Sequence, residues 1–232
     1  MAQGLDKIHE SLYATGAGAR MQQNIRIAPL DLEGLLAVPS GAKGLVLFAH
    51  GSGSSRLSPR NTYVAEALRE AGLGTLLFDL LTPTEADDRR KVFDIALLAE
   101  RLTQATEWAR ENPQTGALRI GYFGASTGAA AALVAAAIGE TDIGAVVSRG
   151  GRPDLAGPYL AKVRAPSLLI VGGLDTQVIE FNREALAELR CEKKIEIVPG
   201  ATHLFEEPGT LDRVIELARA WFASHLSAAA EE

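Results

Sequence analysis

Cysteine is almost missing from this chain. Cys191 stands alone among 232 residues, so no internal disulfide can form and no disulfide framework fixes a redox compartment. It reads as an incidental thiol near a helix end. Long hydrophobic runs are missing too. No apolar stretch approaches the ~20 residues of a membrane span, and the first twenty residues lack the uninterrupted apolar segment of a signal peptide, which makes the cytoplasm the expected location. Basic charge is in deficit, 23 Lys and Arg against 29 Asp and Glu for a net charge of −6. Without a broad basic footprint, neither nucleic acid nor an anionic membrane is an expected partner. No grouping of His, Asp and Glu has the spacing of a metal site, so no metal is expected.

What is present describes one large globular domain. The composition is 47% hydrophobic and 22% charged, and the length suffices to bury a sizeable sheet. Residues 1–23 read as a lead-in, with Met21 a possible original start, residues 24–226 as the single domain, and 227–232 as a frayed tail. The domain opens on alternating apolar positions around Leu30-Asp31-Leu32-Glu33-Gly34, predicting an antiparallel pair with its turn there. Leu45–Ala49 and Thr75–Phe78 are apolar throughout, as strands buried on both faces are. Helices are predicted over Ser58–Ala71 and over Arg90–Asn112, the latter ended by Pro113. After a strand and helix around Ser126 come strand Ala145–Ser148, a loop holding Pro153 and Pro158, strand Ser167–Val171, helix Val178–Leu189, strand Ile195–Val198 and helix Thr210–Leu226. Apolar strands alternating with helices predict an α/β fold, a doubly wound, mostly parallel sheet with helices on both faces. Ligands of such folds bind beyond the carboxyl ends of the strands.

The informative residues fall at that edge. Leu118–Phe123 runs into Gly124-Ala125-Ser126-Thr127-Gly128 and continues as an alanine-rich helix. A glycine-flanked serine can serve only as a helix N-cap. Between an apolar strand and a helix, however, Gly-x-Ser-x-Gly predicts a nucleophile elbow that lifts the Ser126 hydroxyl above the sheet. A helix start also aims free backbone N–H groups at negative charge developing beside the serine. His50-Gly51-Ser52-Gly53-Ser54-Ser55 follows another strand, where the second oxyanion donor of a serine hydrolase is expected; the N–H groups of Ser52 and Thr127 form the candidate pair. The loop has no Gly-Lys-Ser/Thr ending and so is not a phosphate cradle. His50 braces loop backbone on this reading. Gly172-Gly173-Leu174-Asp175 and Pro199-Gly200-Ala201-Thr202-His203 end two later strands. The order Ser126, Asp175, His203 is the serine–acid–histidine order of the α/β hydrolases. His203 would take the serine proton and Asp175 would orient the imidazole. His225 reads as solvated, as does His9, while Trp108 and Trp221 read as core packing.

Together these motifs resemble the α/β-hydrolase superfamily, nearest its dienelactone-hydrolase-like branch, over about residues 24–226; the strand end Phe78-Asp79-Leu80 fits that branch as well. The branch departs from this chain at the nucleophile, because dienelactone hydrolases proper use cysteine where Ser126 stands. The resemblance implies a cofactor-free hydrolase of small-molecule esters or lactones. Two other classes share these features: an acyltransferase with the same triad, and a catalytically silent hydrolase fold used as a binding module. Arg149, in Ser148-Arg149-Gly150-Gly151-Arg152, is expected at the same sheet edge. There it is a candidate to grip a substrate carboxylate, or else pairs with Asp175 or Asp154 and shapes the loop.

Overall fold

The computed structural model describes residues 22–227. The expected lead-in up to Met21, with His9, and the tail beyond Ser227 lie outside the described residues. Eight strands form one sheet: β1 (Gln23–Ile27), β2 (Leu32–Ala37), β3 (Leu45–Ala49), β4 (Gly74–Phe78), β5 (Ile120–Ala125), β6 (Ala145–Arg149), β7 (Ser167–Gly172) and β8 (Lys193–Val198). The spatial order is β1-β2-β4-β3-β5-β6-β7-β8. β1 and β2 pair antiparallel, β2 joins β4 antiparallel, and every later pairing is parallel. The chain reverses earlier than expected: the turn occupies residues 28–31, with Asp31 at φ 54°, and Leu32 already begins β2.

Among the described residues, seven helices and a 3₁₀ segment clothe the sheet: α1 (Pro59–Glu70), α2 (Pro83–Ala86), α3 (Arg89–Val92), α4 (Ile95–Glu111), α5 (Thr127–Ile138), α6 (Thr176–Glu188), α7 (Thr210–Leu226) and the 3₁₀ helix Pro153–Lys162. One face carries α1 and α7 over a core that includes Phe48, Phe123 and Phe222. The opposite face carries α4, α5, the 3₁₀ segment and α6. Strands β3, β4, β5, β6 and β7 are buried from end to end, as their unbroken apolar runs require when both faces are covered. Helix α5 is rich in alanine and almost all buried; small side chains let it lie close against the sheet while neighbouring helices close over it.

Two predicted elements differ. The single helix over 90–112 is two: α3 stops at Val92, and Asp94 starts α4 by accepting from the Leu97 N–H at 3.0 Å. An aspartate that can cap is a start signal, and it outweighed the helical period running through it. The predicted loop with Pro153 and Pro158 is the 3₁₀ helix, kinked at Gly157, whose φ of 50° lets the two halves turn past each other.

Candidate active site

β5 ends at Ala125 in the middle of the sheet, and α5 begins two residues later. Ser126 joins them at φ 51° and ψ −122°, a sparsely populated region that costs of order 1–3 kcal/mol and persists only where its surroundings over-determine it. They do so here through contact. A Cβ on Gly124 would lie 2.5 Å from Ala129 Cα, and one on Gly128 only 2.1 Å from the carbonyl oxygen of Ala49. Backbone meets backbone on both sides of the serine, so only hydrogen fits at either glycine. Although Ser126 stands at the N-cap of α5, its side chain caps nothing. The hydroxyl is left free of the task that would explain it as structure.

Asp175 repeats this pattern. It holds the N-cap position of α6 with no side-chain cap bond, forgoing a contribution typically near 1 kcal/mol. Its Oδ2 lies instead 2.7 Å from His203 Nδ1. The carboxylate is largely buried and the imidazole partly open to solvent. Carboxylate oxygen accepts only, so Nδ1 carries the proton and Nε2 is the free, basic nitrogen. The loop carrying His203 rests on the end of β6, where a Cβ on Gly150 would come within 2.7 Å of the His203 carbonyl oxygen. Ser126 reaches the same strand end, its N–H donating to Arg149 O at 3.4 Å and its carbonyl accepting from Arg152 N–H at 3.1 Å. Asp175 and His203 thus meet from loops 28 residues apart, and the backbones of Ser126 and of the His203 loop both lie against the end of β6.

The loop after β3 lies on the other side of Ser126. Ser52 N–H donates to Thr127 Oγ1 at 3.0 Å, a contact that ties the two candidate oxyanion residues together and that the sequence did not announce. His50 braces this loop. Its Nε2 accepts from Leu80 N–H at 3.1 Å, which leaves the proton on Nδ1, 3.0 Å from Gly51 O. Burial pushes its pKa below the ordinary 6.5, against upward contributions from Gly51 and Asp79. Since the unfolded chain takes up this proton more readily, the stability His50 contributes is complete above pH 6.5 and is lost as pH falls through that value. Urea titrations at pH 7.5 and 5.5 should therefore show a larger fall in wild type than in His50→Gln; equal falls would assign the acid sensitivity elsewhere.

Arg149, the last residue of β6, is 6% exposed. One guanidinium nitrogen donates to Asn61 Oδ1 at 3.3 Å, while Nε is buried without a partner. Burial, reinforced by the nearby Arg60, lowers its pKa to about 10. Neither acid considered as its partner takes that role: Arg152 holds Asp154 at 2.7 Å, and Asp175 faces His203. Among the described residues, no carboxylate pairs with Arg149. Asn61, 88 positions earlier, was not legible as its neighbour; only the Ser58-Pro59 helix start marked where that residue would sit. His225, expected in solvent, is instead bonded to Trp221 O at 2.8 Å and to Glu192 at 3.2 Å. Cys191 is half-buried, and burial raises its thiol pKa. No group of His, Cys, Asp and Glu among the described residues could hold a metal ion, and no described helix is long and apolar enough to cross a membrane.

An eight-stranded, mostly parallel sheet with a strained serine where β5 enters α5 defines the α/β-hydrolase fold. Residues 32–230 match the dienelactone hydrolase family, and the chain belongs to that family. It is similar to a crystal structure of a dienelactone hydrolase from Anabaena variabilis, with 55% identity, a TM-score of 0.86, and coverage of 90% of this chain and 99% of that one. Est1E from Butyrivibrio proteoclasticus superposes with a TM-score of 0.73 at 18% identity, over 90% of this chain and 98% of that one. A dienelactone hydrolase-like promiscuous phosphotriesterase from metagenomic libraries gives 0.74 at 16%, over 91% and 100%. At these identities the last two speak for the fold alone. A protein of Mycobacterium tuberculosis named as a putative phosphoribosyl transferase is 59% identical over 230 residues, 96% of this chain and 52% of its own length. The chain thus spans about half the length of the curated relatives it matches.

Proposed function

We propose that the protein is a serine hydrolase of carboxylic esters or lactones, working through an acyl-Ser126 intermediate. One observation carries this reading. Two residues at helix N-caps, Ser126 and Asp175, leave their helices uncapped, and Asp175 spends its carboxylate on His203. Stability has been forgone at both positions, which a binding module with no reaction to perform would not need.

Chemistry follows from the geometry. Ser126 Oγ attacks the carbonyl carbon of the ester as its proton passes to His203 Nε2, and Asp175 stabilises the resulting imidazolium. The carbonyl π pair moves onto oxygen, and the N–H groups of Ser52 and Thr127 receive that charge. Ser52 N–H, given to Thr127 Oγ1 in the resting site, would turn to the oxyanion. Collapse breaks the ester C–O bond, and the leaving alkoxide takes the proton from His203; in a lactone it stays tethered to the acyl group. A water deprotonated by His203 then attacks the acyl-enzyme, releasing the acid and restoring Ser126. No cofactor enters these steps, and the small-molecule substrate is the one partner they need. Labelling by a fluorophosphonate probe, followed by turnover of p-nitrophenyl and lactone substrates, tests the reading. Absence of labelling would favour the silent binding module. Acyl products formed preferentially with added alcohols or amines would favour an acyltransferase. The transferase name of the mycobacterial relative belongs to a protein about twice this length and supplies no residue role here.

Arg149 enters the proposal as the grip for a substrate carboxylate on the β6 side of Ser126. Its burial without an acid partner, and its single long bond to Asn61, support this, since a buried guanidinium is costly until an anion meets it. The measurement compares kcat/KM for a neutral ester and a carboxylate-bearing analogue in wild type and Arg149→Ala. A selective loss on the anionic ester of roughly 1.5–3 kcal/mol is expected, the range for hydrogen bonds to charged groups. Equal losses would reduce Arg149 to a brace between β6 and α1.

A further inference from the structure

A cavity of about 330 Å³ lies against the oxyanion loop, beyond the carboxyl ends of β3 and β4. Its volume falls in the range of small-molecule sites. Ser52 and its neighbours form one edge, while Leu81, Pro83, Ala86, Val92 and Leu98 form the far wall. At its polar end Asp79 accepts from the Arg56 N–H at 2.7 Å and pairs with the Arg56 guanidinium, which also pairs with Glu33. Asp79 is the one charged side chain among the lining residues, and no lining cation is there to receive an anion.

We propose that this cavity receives an uncharged, apolar acyl chain or ring of the substrate, selected by the wall that α2 and α3 build. The assignment rests on Ser126 as nucleophile. The wall is held in place by one carboxylate. Glu85 on α2 accepts from Thr82 N–H and Oγ1 at 3.1 Å each, from Lys91 on α3 at 3.2 Å, and from Arg101 on α4 at 3.2 Å. Burial would raise its pKa, but these donors outweigh it and hold the carboxyl at about 2. Two helices of four residues each could not hold a shape alone; tied to Glu85 and through it to the long helix α4, they can. The apolar side chains then face space next to the loop whose N–H would hold the reacting oxygen. An acyl chain bound at Ser126 would extend along Ser52 into that space.

The test measures kcat/KM for p-nitrophenyl acetate, butyrate, hexanoate and hemisuccinate in wild type, Ala86→Trp and Val92→Ala, with fluorophosphonate labelling of each protein. Wild type should favour hexanoate over acetate by about tenfold or more, since even one methylene in a matched pocket is worth about that, and should favour butyrate over the hemisuccinate. Ala86 is exposed to solvent in addition to lining the wall, so tryptophan there fills the cavity without displacing core. It should cut the hexanoate-to-acetate ratio about tenfold, and Val92→Ala should move the optimum to a longer chain. An unchanged ratio in a protein that still labels overturns the cavity assignment while leaving the nucleophile standing. Loss of labelling in wild type overturns both. Preference for the hemisuccinate would assign the cavity to an anion and also overturn the proposal.

Discussion

Ser126→Ala is expected to abolish ester turnover, lowering kcat by about 10⁴-fold or more, with His203→Ala nearly as severe because nucleophile and base act as one unit. Asp175→Asn should be damaging but less so, since the amide keeps a contact with the ring while favouring the wrong tautomer. The fold should survive all three. None of these side chains caps a helix or fills the core, and the 2.7 Å Asp175–His203 contact is partly solvent-exposed on the histidine side. Ser126 adds a second readout. At φ 51° alanine keeps the strain that serine bears, whereas glycine relieves it. Ser126→Gly should thus be as inactive as Ser126→Ala yet unfold at a higher urea concentration. Retention of about a quarter of the wild-type rate by Ser126→Ala would leave the four-decade loss of a nucleophile unexplained and remove Ser126 from the mechanism.

The elements that position this site were legible because they are local. Leu45–Ala49, Ser167–Val171 and the run into Ser126 are apolar without alternation, and such runs have few stable places other than the middle of a two-sided sheet. The glycines around Ser126 were legible because a sharp turn at contact distance admits nothing larger. Contacts that close over long sequence intervals were not. Nothing near Arg149 points to Asn61, and nothing near Ser52 says that the Thr127 hydroxyl will meet its N–H. The strand order, which puts β3 between β4 and β5, is also a property of the whole sheet. The cavity wall is an intermediate case. Thr82-Pro83-Thr84-Glu85 is a capping-box sequence that could have marked α2, and Asp88 and Asp94 could have marked the starts of α3 and α4. The single helix read over 90–112 concealed the start at Asp94.

Gly128→Ala should do more to stability than any of the site substitutions. A Cβ at Gly128 would stand 2.1 Å from Ala49 O, 2.6 Å from Ala49 C and 2.6 Å from His50 O. All three are backbone atoms of the strand end and loop that carry the oxyanion donor, and no rotamer change can move them aside. Relief requires α5 to withdraw from β3. Yet α5 is buried along nearly its whole length, and packed interiors do not yield by this much without losing contacts throughout. A loss of more than about 4 kcal/mol is therefore expected, at the extreme of single substitutions, with elbow and oxyanion loop displaced together. Gly200→Ala is the matched control. That glycine also has positive φ, 75°, but nothing lies within 4 Å of its would-be Cβ, so alanine should cost only about 1 kcal/mol of backbone strain. Urea unfolding of the two variants separates the effects. If Gly128→Ala unfolds at the same urea concentration as Gly200→Ala and still labels with a fluorophosphonate, then close backbone contact does not hold the elbow, and the strain at Ser126 must be sustained in another way.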